Sequence, residues 1–217
     1  NHYERIISAV DVWIGKILEK IDLEKTLVVL TADHGTEHGA YTSEMWDFPP
    51  LPLLEGEKVI ELDPDADYLT KRITDKALDF IKKNRSRPFF LYIPYPMPHD
   101  PLHVSPKYMK DVSDSVKFLL DNELGSINYI VRNELYPQVI SEIDDSIGEI
   151  VNLLKALDLD ENTLLIFTTD NGPGSRFASA GPLRGRKGST FEGGMRVPAI
   201  VWWPGTVPAG KTSDELL

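Results

Sequence analysis

Two stretches of the chain repeat the same pattern of apolar and polar positions. In the first, apolar residues recur at helical spacing from Ile6 to Ile21 and lead into the run TLVVLTA. In the second, the same spacing extends from Ile140 to Leu157, just after Pro137, and leads into TLLIFTT. This pattern predicts two helices, each followed by a buried strand. Pro137 is predicted to open the second helix, because proline is favoured in a first turn.

The two helix–strand units align residue for residue, and we interpret them as an internal repeat. ISAVDVWIG corresponds to ISEIDDSIG, and TLVVLTADHG corresponds to TLLIFTTDNG, with four additional residues between helix and strand in the second copy. Duplication of the unit places the same type of polar turn after two different strands.

The stretch between the two units has elements of its own. FPPLPLL is predicted to be extended, Leu69 to Lys83 forms an amphipathic helical pattern, and PFFLYIPY is predicted as a buried strand entering the loop PMPHDPLHVSP. Helices that alternate with apolar strands predict an α/β protein with a mostly parallel sheet and helices on both faces. Ligands of such sheets bind beyond the carboxyl ends of the strands, which here are the loops after Ala32, Tyr95 and Thr169.

Composition narrows the classes of partner. The 217 residues carry a net charge of -11, which disfavours nucleic acid and acidic membranes as partners. No apolar run approaches the roughly 20 residues that span a bilayer, and NHYERIISAV does not have the pattern of a signal peptide. The chain has no cysteine, so thiolate metal ligands and a cysteine nucleophile are excluded for these residues. Compartment and oligomeric state are left open.

The turn after the second strand carries candidate metal ligands. Asp170 and Asn171 offer a carboxylate and an amide oxygen, the hard ligands that calcium and magnesium prefer. Asp33 and His34 occupy the equivalent positions of the first unit and suit zinc, manganese or calcium. For both pairs, a polar turn without a metal is the alternative interpretation.

A cationic loop follows the second pair. No acidic residue lies between Asn171 and Phe191, whereas Arg176, Arg184, Arg186 and Lys187 all do, together with five glycines. In an acidic protein this pattern favours a site for an anion over a merely solvated basic loop. The segment GPLRGRKGST is not a P-loop, because Arg186 stands where that motif requires a glycine before the lysine.

His99 is a candidate proton donor. It lies in PMPHDPLH directly after a predicted strand, between prolines that stiffen the chain. An imidazole titrates near neutrality and can protonate a leaving oxygen. A structural loop histidine is the alternative.

Taken together, TTDNGPG and AGPLRGRKGSTFEGGMRVPAIVWWPG resemble the signature region of the sulfatase family, in particular the arylsulfatases, within the alkaline phosphatase superfamily. PFFLYIPYPMPHDPLHVSP and YTSEMWDFPPLPLLEGEKVIE are also similar to segments of that family. The resemblance covers roughly residues 41–217. It implies an alkaline phosphatase-like α/β fold, a bound Ca²⁺ ion, and hydrolysis of a small-molecule or carbohydrate sulfate ester through a formylglycine made from cysteine or serine.

The same resemblance implies roles for single residues. Asp170 and Asn171 would ligate calcium, Lys187 would hold the sulfate group, and His99 would serve the leaving group. Glu192, Gly193 and Gly194 match the motif and are expected to be structural.

The resemblance also predicts missing parts. The family's first pair of metal-binding aspartates, its nucleophile followed by proline and arginine, and its small C-terminal domain have no counterpart here. Residues 1–40, with TADHGTEHG, resemble another form of the superfamily's metal motif, so we expect a helix–strand unit at 1–40 joined to the central part of a sulfatase catalytic domain at 41–217. A phosphatase or phosphodiesterase of the superfamily and a non-catalytic binding protein are the alternative functions; Asn171 and Lys187 count against the first alternative.

Overall fold

The computed structural model describes residues 50–99, 102–120, 129–174 and 178–213. Its strands are β1 (Pro52–Glu55), β2 (Lys58–Leu62), β3 (Leu165–Thr168) and β4 (Ala199–Trp202). Its α-helices are α1 (Leu69–Asn84), α2 (Asp114–Leu120), α3 (Tyr129–Ala156) and α4 (Glu192–Met195), and short 3-10 helices occupy Ala66–Tyr68, Pro106–Asp111 and Asp160–Asn162. None of the helices within these ranges is long and apolar enough to cross a membrane.

Helix α1 confirms the amphipathic pattern predicted from Leu69 to Lys83 and ends one residue later, at Asn84. Its buried face includes Thr74, Ala77 and Ile81, which follow one another at helical spacing. This face packs against α3. The long amphipathic pattern was therefore sufficient to place the helix.

Helix α3 confirms the second predicted helix but not its start. It begins at Tyr129, and Pro137 lies inside it rather than opening it. Proline removes one main-chain hydrogen bond from a helix interior. Val131 and Leu135, which precede the proline, are at most 1% exposed, and their burial offsets the missing bond.

Two apolar clusters hold the helices in place. In the first, the amino-terminal half of α3 packs against α2 and the segment before it, through Leu102, Val104, Val116, Leu135 and Val139 among others. The second joins α1 to the carboxyl-terminal half of α3, and Leu165 of β3 and Trp202 of β4 pack against it. The second cluster therefore connects the helices to the strands that lead to the candidate site.

The segment PFFLYIPY, residues 88–95, is extended but forms no strand ladder within the described ranges, so its prediction as a strand was wrong. Its side chains still alternate: Phe89, Leu91 and Ile93 pack against the second cluster, while Phe90 and Tyr92 are exposed. Pro88 and Pro94 in this segment lack the N–H group that a ladder needs. Alternation of buried and exposed side chains was therefore not sufficient to predict hydrogen bonds between strands here.

Both described strand pairs are antiparallel. β1 and β2 form a hairpin, and β3 pairs with β4 from Leu165 opposite Trp202 to Thr168 opposite Ala199. The strand predicted from TLLIFTT is thus confirmed as β3, but its expected burial is not, because Ile166 and Phe167 are exposed. The described residues form a mixed α/β structure without the mostly parallel sheet; the first helix–strand unit, which was expected to add a parallel strand, lies outside them.

Candidate active site

The turn after β3 is ordered by short-range hydrogen bonds. The Thr169 hydroxyl donates to the main-chain oxygen of Asn171 at 3.3 Å, and the Asn171 side-chain amide donates to the Asp170 carboxylate. The Asp170 side chain is exposed and Asn171 is half-buried. A carboxylate is therefore presented to solvent directly beyond the carboxyl end of a strand.

Glycine contacts join this turn to the loop before β4. The Gly172 N–H donates to the Gly194 oxygen at 2.9 Å, and the Gly193 N–H donates to the Arg184 oxygen at 2.8 Å. A Cβ atom at Gly172 would lie 2.0 Å from the Gly193 oxygen, and one at Gly194 would lie 2.2 Å from the Ser189 oxygen. The two chain segments approach too closely for any side chain, so the crossing requires glycine at these positions.

Lys187 lies on the loop that this crossing holds. Its N–H donates to the Pro173 oxygen at 3.0 Å, and its side chain is exposed. Arg184, by contrast, stacks on the Phe191 ring, with its guanidinium carbon 3.8 Å from the ring centre. In the described part of the chain no ion pair involves Lys187, which leaves its ammonium group available for an anion.

Asp170 and Asn171 fit one side of a calcium site. They offer hard oxygen donors on one turn, whereas calcium takes about six to eight oxygens. Within the described ranges no group of three or more histidine, cysteine, aspartate or glutamate residues is clustered as a full metal site would require. The pair therefore suits part of a site whose other ligands come from elsewhere. Asp33 and His34 lie outside the described residues.

His99 lies on a separate loop, after the extended segment 88–95. Its side chain is exposed, and its N–H donates to the Pro96 oxygen at 3.1 Å. The main-chain bonds thus bring Asp170, Asn171 and Lys187 together, while His99 is positioned by other contacts. Its predicted role, like those of the other three residues, stays a prediction.

Buried polar contacts behind the His99 loop were missed by the sequence interpretation. The Ser146 hydroxyl lies 2.6 Å from both the Thr74 hydroxyl and the Tyr95 hydroxyl. The Ser105 N–H donates to the Glu142 carboxylate at 3.0 Å. The available signal was the position of Glu142 and Ser146, two polar residues within the apolar stripe of α3.

Comparison with protein families gives two matches. The Sulfatase family model matches residues 41–217, which include every described element, and the Metalloenzyme superfamily model matches residues 1–44. Both matches indicate a metal-dependent domain.

Individual relatives agree with the longer match. The N-acetylgalactosamine-6-sulfatase of Canis lupus familiaris is 39% identical over 164 residues, covering 72% of this chain and 28% of the relative. Arylsulfatase G of Mus musculus is 33% identical over 183 residues, covering 77% of this chain and 31% of the relative. The chain thus spans less than a third of the length of these two proteins.

A solved structure shares the fold. The crystal structure of Ps i-CgsB in complex with k-i-k-neocarrahexaose matches with a TM-score of 0.59 and 32% identity, over 73% of this chain and 32% of that one. The described helices and strands therefore correspond to part of an alkaline phosphatase-like fold. With the family match over residues 41–217, this shows that the chain belongs to the sulfatase family.

Proposed function

We propose that this chain supplies the calcium, sulfate and leaving-group positions of a sulfuric ester hydrolase of the arylsulfatase type. The reaction transfers the sulfuryl group of a sulfate monoester to water and releases an alcohol or phenol. The observation that carries the proposal is the 3.0 Å bond from the Lys187 N–H to the Pro173 oxygen. It brings the main chain of an exposed lysine to the residues that follow the Asp170–Asn171 turn, which supports a local site for an anion in an otherwise acidic protein.

Calcium would bind at the turn. The Asp170 carboxylate would contribute one or both oxygens, and the Asn171 side chain, whose nitrogen now donates to Asp170, would rotate to offer its oxygen. The bound ion would stabilise negative charge on the sulfate oxygens. Asp33 and His34 are proposed as ligands of the repeated motif in residues 1–40.

Lys187 and His99 would act on opposite sides of the bond that is cleaved. The Lys187 ammonium group would bind sulfate oxygens and stabilise the charge that develops there. His99 would give its proton to the leaving oxygen as that oxygen separates from sulfur. The attacking group in this family is a formylglycine, and we propose that a part of the protein beyond these residues supplies it, because the 217 residues contain no cysteine and no Ser-x-Pro-x-Arg segment.

The test is hydrolysis of a chromogenic aryl sulfate, run beside the matching aryl phosphate, by the full-length protein with calcium. We expect sulfate hydrolysis that a calcium chelator removes. Lys187→Ala should lower kcat/KM by about a hundredfold or more, with little change in melting temperature, because the side chain is exposed. Lys211→Ala, an equally exposed lysine, is the matched control and should keep wild-type turnover.

Hydrolysis of the two substrates, together with the turnover of Lys187→Ala, distinguishes the alternative functions. Cleavage of the phosphate alone would replace the proposal with a phosphatase of the same superfamily. If neither substrate were hydrolysed, a non-catalytic binding protein would be favoured. Equal turnover by Lys187→Ala and wild type would remove Lys187 from the sulfate site while leaving the family chemistry in place.

A further inference from the structure

We propose that Glu142 is a positioning residue that fixes the loop bearing His99. The inference deepens the proposed function and rests on the leaving-group role assigned to His99 there. It concerns residues 97–99 and 102–105, the last of which, Ser105, is bonded to helix α3.

The bond between α3 and this segment uses both oxygens of one carboxylate. The Ser105 N–H donates to Oε2 of Glu142 at 3.0 Å, and the Ser105 hydroxyl donates to Oε1. Glu142 is 5% exposed and Ser105 is 8% exposed. Two donors on one residue fix both the distance and the orientation of the chain at Ser105, and hydrogen bonds to an ionised carboxylate are among the stronger ones.

Further contacts restrict the residues that lie close to His99 in the sequence. The side chains of Leu102 and Val104 are 1% and 3% exposed, which buries the chain on the near side of Ser105. The His103 N–H donates to the Met97 sulfur at 3.4 Å, so a residue before His99 is bonded to a residue after it. His99 therefore lies between two points, Met97 and His103, that contact each other.

A second anchor holds the same end of the segment to the 3-10 helix Ala66–Tyr68. Nδ1 of His103 lies 2.9 Å from Oδ1 of Asp67, and the Ser105 hydroxyl lies 3.2 Å from the Asp67 main-chain oxygen. The end of the loop is thus held between α3 and the residues before α1. Movement of Ser105 would have to break contacts on both sides.

Packing alone does not account for a glutamate at this position. Its neighbours on the buried face of α3, Val139 and Ile143, are apolar, and no ion pair joins Glu142 to a cation in the described part of the chain. Burying a carboxylate is costly unless its hydrogen bonds are made. What it provides here, and an apolar side chain would not, is a directional attachment of Ser105.

The test uses nuclear magnetic resonance of the 217-residue chain, with no activity measurement. In Glu142→Ala, the Ser105 amide should exchange with solvent at least about tenfold faster, since it loses a bond to a charged acceptor. The amide and imidazole signals of His99 should shift. Glu142→Gln should restore both toward wild type, because its amide oxygen can accept from the Ser105 N–H and its amide nitrogen can donate to the hydroxyl.

Asp144→Ala is the matched control, an exposed carboxylate on the same helix, and should leave both signals unchanged. A lower melting temperature in Glu142→Ala with unmoved His99 signals would reduce Glu142 to a packing residue and overturn the proposal. If Glu142→Ala does not fold, Ser105→Ala, which removes only the hydroxyl, decides: unchanged His99 signals there overturn it equally. An absence of sulfatase activity in the wild type would contradict the proposed function and leave these signals as they are.

Discussion

The described residues between 66 and 156 form the helical part of the molecule, and those between 163 and 213 form its strand–loop part. The two parts are held together by different interactions. In the helical part, apolar side chains such as Ile81, Leu135 and Leu154 are 1–2% exposed. In the described residues of the strand–loop part, the buried positions are Gly172, Gly193 and Gly194, and large apolar residues such as Ile200 remain 60% exposed.

Because of this difference, the interactions that stabilise the chain are not the ones that set the geometry of the candidate site. The helical part gains its stability from burial of side chains, whereas the strand–loop part connects the loop of Lys187 to the turn of Asp170 through main-chain bonds: Gly172 to Gly194, Gly193 to Arg184 and Lys187 to Pro173. The exposed apolar strands are the kind of surface that a larger domain covers. This agrees with a chain that spans 28% of the length of a curated relative. The candidate site thus depends on a backbone crossing rather than on a core of its own.

The largest expected effect tests the helical part. Leu135→Ala should lower the free energy of unfolding by about 2–5 kcal/mol, because it leaves a cavity in the first apolar cluster. Ile166→Ala removes a side chain that is 57% exposed and should cost less than about 1 kcal/mol. Urea unfolding followed by circular dichroism measures both. Equal losses would mean that the strand–loop part has a core as tightly packed as that of the helices.

The next effect tests the glycine crossing. Gly194→Ala places a Cβ atom 2.2 Å from the Ser189 oxygen and 2.6 Å from the Arg186 oxygen, so the loop must open, at a cost of about 1–3 kcal/mol. The Gly172 amide, which donates to Gly194, should lose its protection from hydrogen exchange.

Gly148→Ala is the control for that change. Gly148 lies inside α3 with nothing within 4 Å of an added Cβ atom, so alanine should stabilise the chain by about 0.5–1 kcal/mol. If Gly194→Ala left the Gly172 amide protected, the crossing would not be what holds the loop.

The periodicity of apolar residues predicted those elements whose position depends on burial of side chains. The helix from Leu69 was placed correctly because its apolar stripe is buried, and β3 was placed by its apolar run. The start of α3 was missed because the propensity of Pro137 was weighed above the apolar residues Val131 and Leu135 before it. Burial of the strand–loop part was overestimated, because an apolar strand is buried only when another surface covers it.

For the candidate site, the residue types predicted which chemistry is possible but not which residues bond to one another. The sequence indicated a cationic loop with Lys187 after the Asp170–Asn171 turn, and main-chain bonds connect the two; the roles of the three residues stay predictions. It did not indicate that Glu142 would bond Ser105, a contact 37 residues apart in sequence. Such pairs depend on how α3 lies against the loop, which a helical pattern does not specify.

The smallest expected effect concerns a buried polar contact of the helical part. Burial raises the pKa of Tyr95 above its usual value, and hydrogen bonds from Ser146 and Thr74 only partly oppose this. Below the ordinary tyrosine pKa of 10.0 the phenol is neutral in both states, so its contribution to stability is fully present. Above that pH the unfolded chain loses the proton first, and the free energy of unfolding should fall until pH passes the folded pKa.

Tyr95→Phe should make that alkaline loss shallower, at a cost of about 1 kcal/mol near neutral pH for the bond to Ser146. Urea unfolding between roughly pH 8 and 11.5 brackets the ordinary tyrosine pKa. Tyr108 and Tyr136 also have raised pKa values from burial, so the slope of the wild type is shared and only the difference between the two proteins reports on Tyr95. If Tyr95→Phe had the same slope as the wild type, ionisation of Tyr95 would not contribute to the alkaline loss of stability.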